Sequence, residues 1–112
     1  FSPIVASYYS GMEICVPLFA KDINGTPEDI EKIYINYYNN SFVRYVKEPG
    51  ENGFLSAVSL SGKDSMQISV TGNSERILLI SRFDNLGKGA SGAAIQNMNI
   101  AMGIEEDKGL IL

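Results

Sequence analysis

The residues best suited to chemistry lie in one glycine-rich loop near the C-terminus. Gly87, Gly89 and Gly92 have G-x-G-x-x-G spacing, which is typical of a turn that binds dinucleotide phosphates between a strand and a helix. Glycines let a ligand approach the backbone, and free N–H groups at a helix start attract an anion or a carboxamide oxygen. A complete doubly wound dinucleotide-binding unit needs a further parallel strand, and only residues 109–112 remain to form one. The motif therefore predicts a ligand-binding loop, but it does not predict a complete doubly wound dinucleotide-binding unit.

Two polar features beside the loop also suggest a ligand or a partner. Lys88 lies at the predicted start of a helix, where a cation opposes the helix dipole by roughly 0.3–1 kcal/mol. Either a nearby anion offsets this cost or the side chain extends into solvent. Gln96, Asn97 and Asn99 follow on the same helix, where a solvent-exposed face would usually carry Glu and Lys. These amides suggest that the helix face contacts a partner domain or a ligand.

Several kinds of active site are excluded by the composition. The chain has no histidine and one cysteine, so it cannot assemble a Ser-His pair, a Cys-His pair or a histidine-rich metal site. Cys15 stands between Ile14 and Val16 in an apolar strand, which predicts a packed residue rather than a nucleophile. The single cysteine also excludes an internal disulfide and fits a reducing compartment, so we expect a cytoplasmic protein. A general base or nucleophile is expected to lie outside this chain.

The size and charge of the chain describe one small globular domain. It has 112 residues, 45% of them hydrophobic, and a net charge of −4 with both signs interspersed. No basic patch is present, which argues against nucleic acid and anionic membranes as partners. No apolar run has the length of a membrane span. The abrupt start at Phe1 suggests the interior of a longer protein.

The pattern of apolar residues predicts an α+β fold. Alternation predicts a strand over residues 12–19, and Pro17 places that strand at a sheet edge or near its own end. Residues 66–71 and 76–83 are predicted to pair as an antiparallel hairpin, the second strand being either central or covered on both sides because both of its faces are apolar in the middle. Further strands are predicted over residues 42–46 and 54–60. Tyr8 and Tyr9 are expected in a core or an interface.

Two helices complete the predicted fold. The first covers residues 26–38, with Thr26 as N-cap and Pro27 in the first position. Its apolar stripe, spaced as on one helix face, consists of Ile30, Ile33, Tyr34 and Tyr37. The second helix begins near residues 88–90 and runs to Met102, followed by Gly103 as the residue after the C-cap. Its predicted packing face consists of Ala94, Ile95, Met98, Ala101 and Met102.

The stretch Asp84-Asn85-Leu86-Gly87-Lys88-Gly89-Ala90-Ser91-Gly92-Ala93-Ala94-Ile95-Gln96-Asn97-Met98-Asn99 resembles the C-terminal signature of the N-acetyl-gamma-glutamyl-phosphate reductases. Residues 1–18 resemble the segment that opens the last part of that family's second domain, and Phe54-Leu55-Ser56 and Gly72-Asn73 fall in register between the two. The resemblance covers essentially the whole chain. It implies the C-terminal portion of an enzyme of arginine biosynthesis that is related to aspartate-semialdehyde dehydrogenase.

The resemblance implies a mixed, mostly antiparallel sheet with helices on one face, like the C-terminal domain of glyceraldehyde-3-phosphate dehydrogenase. Residues 1–112 would form part of the catalytic and dimerisation domain, and the helix over about 88–103 would pack on an N-terminal nucleotide-binding domain. The family reduces N-acetyl-glutamyl phosphate to the semialdehyde through a cysteine thioacyl intermediate with hydride from NADPH. The family's catalytic cysteine and histidine have no counterpart here, so the chain alone is expected to be inactive.

The resemblance also implies a set of cofactor-binding residues and a homo-oligomer. Asn85 would bond the carboxamide of NADP, Gly87 and Gly89 would offer backbone N–H groups, and Lys88 and Gln96 would lie near the phosphates or the carboxamide. No catalytic residue and no metal ligand is expected in this chain. Two alternatives stay open, a stand-alone binding or oligomerisation module and a fragment of another semialdehyde dehydrogenase.

Overall fold

A computed structural model describes all 112 residues as one mixed sheet with two helices. The strands are β1 (Met12–Phe19), β2 (Val43–Tyr45), β3 (Met66–Gly72) and β4 (Arg76–Phe83), and the helices are α1 (Pro27–Tyr37) and α2 (Gly92–Ala101). The sheet order is β1-β4-β3-β2, with β1 and β3 antiparallel to β4 and with β2 parallel to β3. This arrangement confirms the predicted α+β class and its mixed, mostly antiparallel sheet.

The β3–β4 hairpin forms as the sequence predicts. Met66 pairs with Phe83 at one end and Gly72 with Ile77 at the other. The side chain of Asn73 closes the turn, because its Oδ1 accepts from the N–H groups of Glu75 and Arg76 at 2.8 and 2.9 Å. β4 lies between β1 and β3, which confirms its central position, and β1 is an edge strand, as Pro17 indicated.

Helix α1 begins with the predicted cap. Thr26 Oγ1 accepts from the N–H of Asp29 at 3.2 Å, and the Asp29 carboxylate accepts from the N–H of Thr26 at 3.1 Å, which together form a capping box. The helix packs against β2 and β3, where the Tyr34 ring meets that of Tyr45 at 6.3 Å between centroids. The predicted apolar stripe is only partly used, since Tyr37 remains 78% exposed.

The predicted strand over residues 54–60 is wrong. The segment instead folds as successive turns, with N–H to carbonyl bonds from Ser59 to Ser56 and from Ser61 to Val58. One physical reason is that β3, the strand nearest in sequence, already pairs with β4 on one side and with β2 at Met66–Ile68 on the other. A second is that the Arg82 guanidinium donates to the Ser56 carbonyl at 3.2 Å, so this carbonyl is bonded to a side chain rather than to a neighbouring strand.

The core of the chain is small and centres on β4. Its buried hydrophobic residues are Phe42, Leu60, Val70, Ile77, Ile80 and Phe83. Tyr8 and Tyr9 are exposed, so neither belongs to a core within this chain. No helix is both long and apolar enough to cross a membrane.

Candidate functional site

Asp84 organises the loop that follows β4. Its carboxylate, in a residue that is 3% exposed, accepts from the N–H of Gly62 at 2.6 Å and from those of Leu86 and Gly87 at 2.7 and 3.2 Å. Burial raises the pKa of Asp84, but these three N–H groups and the Ser10 hydroxyl outweigh it, so the pKa lies below its ordinary value. Asp84 is therefore an ionised anchor that joins the glycine loop to the turn at residue 62.

Asn85 lies at the end of the sheet next to β1. Its Oδ1 accepts from the N–H of Gly11 at 2.9 Å. Close by, the hydroxyls of Ser10 and Ser61 are 2.5 Å apart. The start of β1, the turn at residues 61–62 and the glycine loop therefore meet around the Asp84–Asn85 pair.

The glycine loop itself is a π-helical turn over Gly87–Ser91 rather than the first turn of an α-helix. Its N–H to carbonyl bonds span five residues, from Gly89 to Asp84, from Ser91 to Leu86 and from Gly92 to Gly87. The predicted helix start is therefore replaced by a wider turn, and regular α-helix begins at Gly92. Such π-turns are frequent at functional sites.

The glycines are required by packing within the chain. A Cβ on Gly87 would lie 2.6 Å from the Lys63 carbonyl oxygen, and one on Gly92 would overlap the Asp64 carboxylate. The N–H of Gly87 donates to the Asp84 carboxylate, and that of Gly89 donates to the Asp84 carbonyl at 2.9 Å. Neither N–H group is therefore free for a ligand, although the sequence had suggested that both are offered.

Lys88 and Gln96 lie away from the Asp84–Asn85 pair. They line an open cavity of about 480 Å³ on the β2 side of the loop. The Nζ of Lys88 donates to Gln96 Oε1 at 2.6 Å and lies 5.1 Å from the centre of the Phe42 ring. Lys88 thus has a hydrogen-bond partner and an aromatic neighbour inside the chain. Three carboxylates also line the cavity, those of Glu105, Glu106 and Asp107.

The amides of α2 mostly contact the chain's own C-terminal segment. Asn99 is 2% exposed, and its Nδ2 donates to the carbonyls of Glu106 and Lys108 at 3.1 and 3.0 Å. Gln96 Nε2 donates to the Glu106 carboxylate at 2.5 Å, while Asn97 is exposed. The unusual amide composition is thus largely explained without a partner domain or a ligand.

Cys15 is exposed on β1, which corrects the expectation that it is packed. Its Sγ lies 3.3 Å from Glu13 Oε1. Desolvation, the hydrogen bond to Glu13 and the Glu13 charge all raise the pKa of the Cys15 thiol. A raised pKa disfavours the thiolate that a nucleophilic cysteine needs.

The five residues predicted to bind a cofactor do not share one pocket. Asn85 faces Gly11 on the β1 side, whereas Lys88 and Gln96 line the cavity on the β2 side. Sequence reasoning missed Asp84, whose carboxylate holds the loop, and Asp64, whose carboxylate lies against Gly92 and accepts from the N–H of Ile111. Asp84 directly follows a buried strand and precedes a glycine turn, a position where an Asp side chain often caps backbone N–H groups, so this signal was available.

These features define the class of the molecule, a small α+β domain whose central strand leads into a glycine-rich π-turn. No protein-family model matches the chain. It is 39% identical to N-acetyl-gamma-glutamyl-phosphate reductase 2 of Nostoc sp. over 98% of its length. It is 38% identical to the N-acetyl-gamma-glutamyl-phosphate reductases of Trichormus variabilis and Brucella ovis, over 98% and 92% of its length.

The chain spans about 37% of the length of the Nostoc and Trichormus proteins and 36% of the Brucella protein. It is therefore a homologue of the N-acetyl-gamma-glutamyl-phosphate reductases along nearly its whole length, consistent with a C-terminal part. The resemblance carried by residues 84–99 is confirmed.

Proposed function

We propose that this chain is the C-terminal part of an NADP-dependent N-acetyl-gamma-glutamyl-phosphate reductase and forms one edge of its cofactor cleft. The observation that carries the proposal is the 39% identity to the Nostoc reductase over 98% of the chain. The reaction would convert N-acetyl-glutamyl phosphate into N-acetylglutamate semialdehyde in arginine biosynthesis, with hydride supplied by NADPH and phosphate released.

The nicotinamide end of the cofactor is proposed to lie against Asn85 and the loop of Gly87 and Gly89. Asn85 fits a carboxamide because its side chain is fixed at the sheet end and keeps a polar group available. Gly87 and Gly89, which have no side chains, would let the nicotinamide end approach the backbone closely. They would not donate to it, since both N–H groups are already bonded within the chain.

Lys88 and Gln96 fit a supporting role better than a phosphate site. The single positive charge of Lys88 shares its cavity with three carboxylates, so the local charge opposes an anionic ligand. Their mutual hydrogen bond instead links the π-turn to α2. The adenosine and phosphate part of the cofactor is therefore proposed to bind the N-terminal nucleotide-binding domain.

The missing catalytic groups support a division of labour between this chain and the rest of the enzyme. The chain has no histidine, and its only cysteine is exposed beside Glu13 with a raised pKa. The nucleophile and the base are proposed to lie in the preceding polypeptide. The exposed apolar residues Met98 on α2 and Met102 directly after it support packing of this helix on the nucleotide-binding domain, and we propose that the complete enzyme is a cytoplasmic homo-oligomer.

The test is enzyme activity of the full-length protein and of residues 1–112 side by side. The full-length protein should oxidise NADPH with N-acetyl-glutamyl phosphate but not with aspartyl phosphate, and residues 1–112 alone should do neither. Preference for aspartyl phosphate would assign the chain to another semialdehyde dehydrogenase. A full-length protein that neither binds NADP nor reduces an acyl phosphate would indicate a binding or oligomerisation module.

A further inference from the structure

Arg82 is a buried cation on the central strand β4, where the residue is 3% exposed. Its Nη2 donates to the Pro49 carbonyl at 2.9 Å and to Gln67 Oε1 at 3.0 Å, and its Nη1 donates to the Ser56 carbonyl at 3.2 Å. All three acceptors are neutral. The Glu51 carboxylate lies 3.6 Å from Nη1, on a side chain that is 53% exposed.

The bonding of Arg82 is incomplete for a buried group. Its Nε is buried and has no hydrogen-bond partner. A buried donor without a partner costs free energy, and an apolar side chain of similar volume often stabilises a protein as well as a buried charge does. Stability alone therefore does not account for an arginine at this position, so its role is sought in what it holds.

Arg82 holds both ends of a surface strap formed by residues 49–56. The strap bonds to itself at its tip, where the Glu51 and Phe54 backbones exchange hydrogen bonds of 2.7 and 3.0 Å around Asn52 and Gly53. Phe54 is 78% exposed, so the tip gains little from packing. The hydrogen bonds between the strap and the sheet all come from Arg82.

The C-terminal end of the strap leads directly into the backbone that packs on Gly11. Ala57 and Val58 follow Ser56, and a Cβ on Gly11 would overlap the Ala57 carbonyl and lie 2.9 Å from the Val58 Cα. The N–H of Gly11 donates in turn to the Asn85 side chain at 2.9 Å, beside the glycine loop. A shift of the strap at Ser56 would therefore move the backbone against which Gly11 and the loop are set.

We propose that Arg82 is a positioning residue for the cofactor edge, because it fastens the strap to the sheet and so fixes the turns at residues 57–61 against Gly11. Arg82 acts through the strap and does not itself contact the cofactor. The effect on the cofactor rests on the proposed function, whereas the fastening of the strap is a property of this chain alone.

Two substitutions of Arg82 in the full-length protein test this inference. Arg82→Met removes every donor and the charge, and Arg82→Lys keeps the charge but replaces the two separate Nη donors by a single nitrogen. Arg44→Met is the matched control, since Arg44 is exposed on β2 and makes no side-chain hydrogen bond. Native-state hydrogen exchange, the dissociation constant of NADPH and thermal unfolding are measured for each variant.

Both Arg82 variants should speed exchange of the Phe54 and Ser61 amides by about 10- to 100-fold, because one or two hydrogen bonds from a charged group are lost. Amides of the β3–β4 ladder should keep their wild-type rates. NADPH should bind about 2- to 10-fold more weakly, the contribution of roughly one hydrogen bond at the displaced edge. Arg82→Met should melt close to the wild type, since it also removes a buried charge, and Arg44→Met should change none of these quantities.

Wild-type exchange of the Phe54 and Ser61 amides in both variants would show that Arg82 does not hold the strap. Faster exchange in the strap with unchanged NADPH binding would refute the positioning role, and so would an equal acceleration in the β3–β4 ladder, which indicates a stabilising residue only. Full recovery by Arg82→Lys would refute attachment through two separate donors. A wild-type protein that does not bind NADPH would refute the proposed function, and the exchange rates would still decide whether Arg82 holds the strap.

Discussion

Replacing Asp84 by Asn should loosen the glycine loop without changing the shape of the side chain. The carboxylate accepts one N–H from Gly62 on Oδ2 and those of Leu86 and Gly87 on Oδ1. An asparagine keeps one acceptor oxygen and turns an N–H₂ group toward the remaining donors. The substitution therefore loses either the bond to the turn at residue 62 or both bonds within the loop.

The size of the effect follows from the charge and burial of this group. Hydrogen bonds to a charged group contribute about 1.5–3 kcal/mol each, but Gly62 and Leu86 are exposed and their freed N–H groups can bond water. We therefore expect Asp84→Asn to destabilise the loop by about 1.5–3 kcal/mol. Asp84→Ala, which removes all three acceptor contacts, should cost about 3–5 kcal/mol, a large fraction of a domain stability of about 5–15 kcal/mol.

Native-state hydrogen exchange of the full-length protein measures this directly. A loss of about 1.5–3 kcal/mol should speed exchange of the Gly62 or Gly87 amide by roughly 10- to 100-fold. Asp22→Asn, a change of the same kind at an exposed residue without a side-chain hydrogen bond, should leave these amides unchanged. Unaltered exchange at both amides in Asp84→Asn would show that the carboxylate does not hold the loop.

The stabilisation of the loop by Asp84 should depend on pH in a direction that follows from its pKa. The pKa of Asp84 is lowered from 3.8 by its N–H partners, against the raising effect of burial. Its contribution is therefore complete above the unfolded-state value near 3.8 and is lost as the pH falls through the lower folded-state value. The difference in loop protection between the wild type and Asp84→Asn should be constant near neutral pH and should vanish in acid. A difference that grows in acid would contradict this sign.

Three further predictions concern packing and the lone thiol, all in the full-length protein. Gly92→Ala should destabilise it by about 1–3 kcal/mol in urea unfolding because the new Cβ overlaps the Asp64 carboxylate, whereas Gly25→Ala, where a Cβ would be 3.7 Å from the nearest atom, should have little effect; equal effects would refute the close-packing argument. Asn99→Leu should release the segment at residues 106–108 and make it the first site of limited proteolysis, since both Nδ2 bonds are lost; an unchanged cleavage pattern would show that other contacts hold it. Cys15→Ser should keep most reductase activity because burial and the neighbouring Glu13 carboxylate raise the thiol pKa and so disfavour the thiolate; a loss of several orders of magnitude without unfolding would make Cys15 the nucleophile.

The parts of the fold that local chemistry specifies could be predicted from the sequence. The capping box of Thr26 and Asp29 lies within four residues, and the hairpin turn at Asn73 is closed by its own side chain. Gly103 takes a φ of +67° after α2, as a residue following a helix C-cap often does. Each signal depends only on neighbours in sequence, so no knowledge of the tertiary structure was needed.

Other features depend on which distant segment occupies a given place. The alternation in residues 54–60 suits a strand, but β2 pairs with β3 at Met66–Ile68, and a sequence pattern does not show which segment pairs there. The G-x-G-x-x-G spacing predicts that some group lies close to the backbone of the glycines, but it does not identify that group. Here the close groups at Gly87 and Gly92 are the Lys63 carbonyl and the Asp64 carboxylate, from a turn more than twenty residues earlier.

Exposed apolar residues on β1 and around the end of α2 leave two surfaces of this chain uncovered. α1 covers the sheet at β2 and β3, whereas Met12, Ile14 and Val16 on β1 are 38–44% exposed. Met98 on α2 and Met102 directly after it are 53% and 65% exposed, although their spacing predicted a packing face. A periodic pattern reports that a face is apolar but does not identify the surface that covers it. Because the matched relatives are nearly three times as long as the aligned region, the proposed preceding polypeptide supplies enough chain to cover both faces. Truncation before Phe1 should therefore expose both faces and promote self-association, and sedimentation of residues 1–112 as a monomer at high concentration would contradict this account.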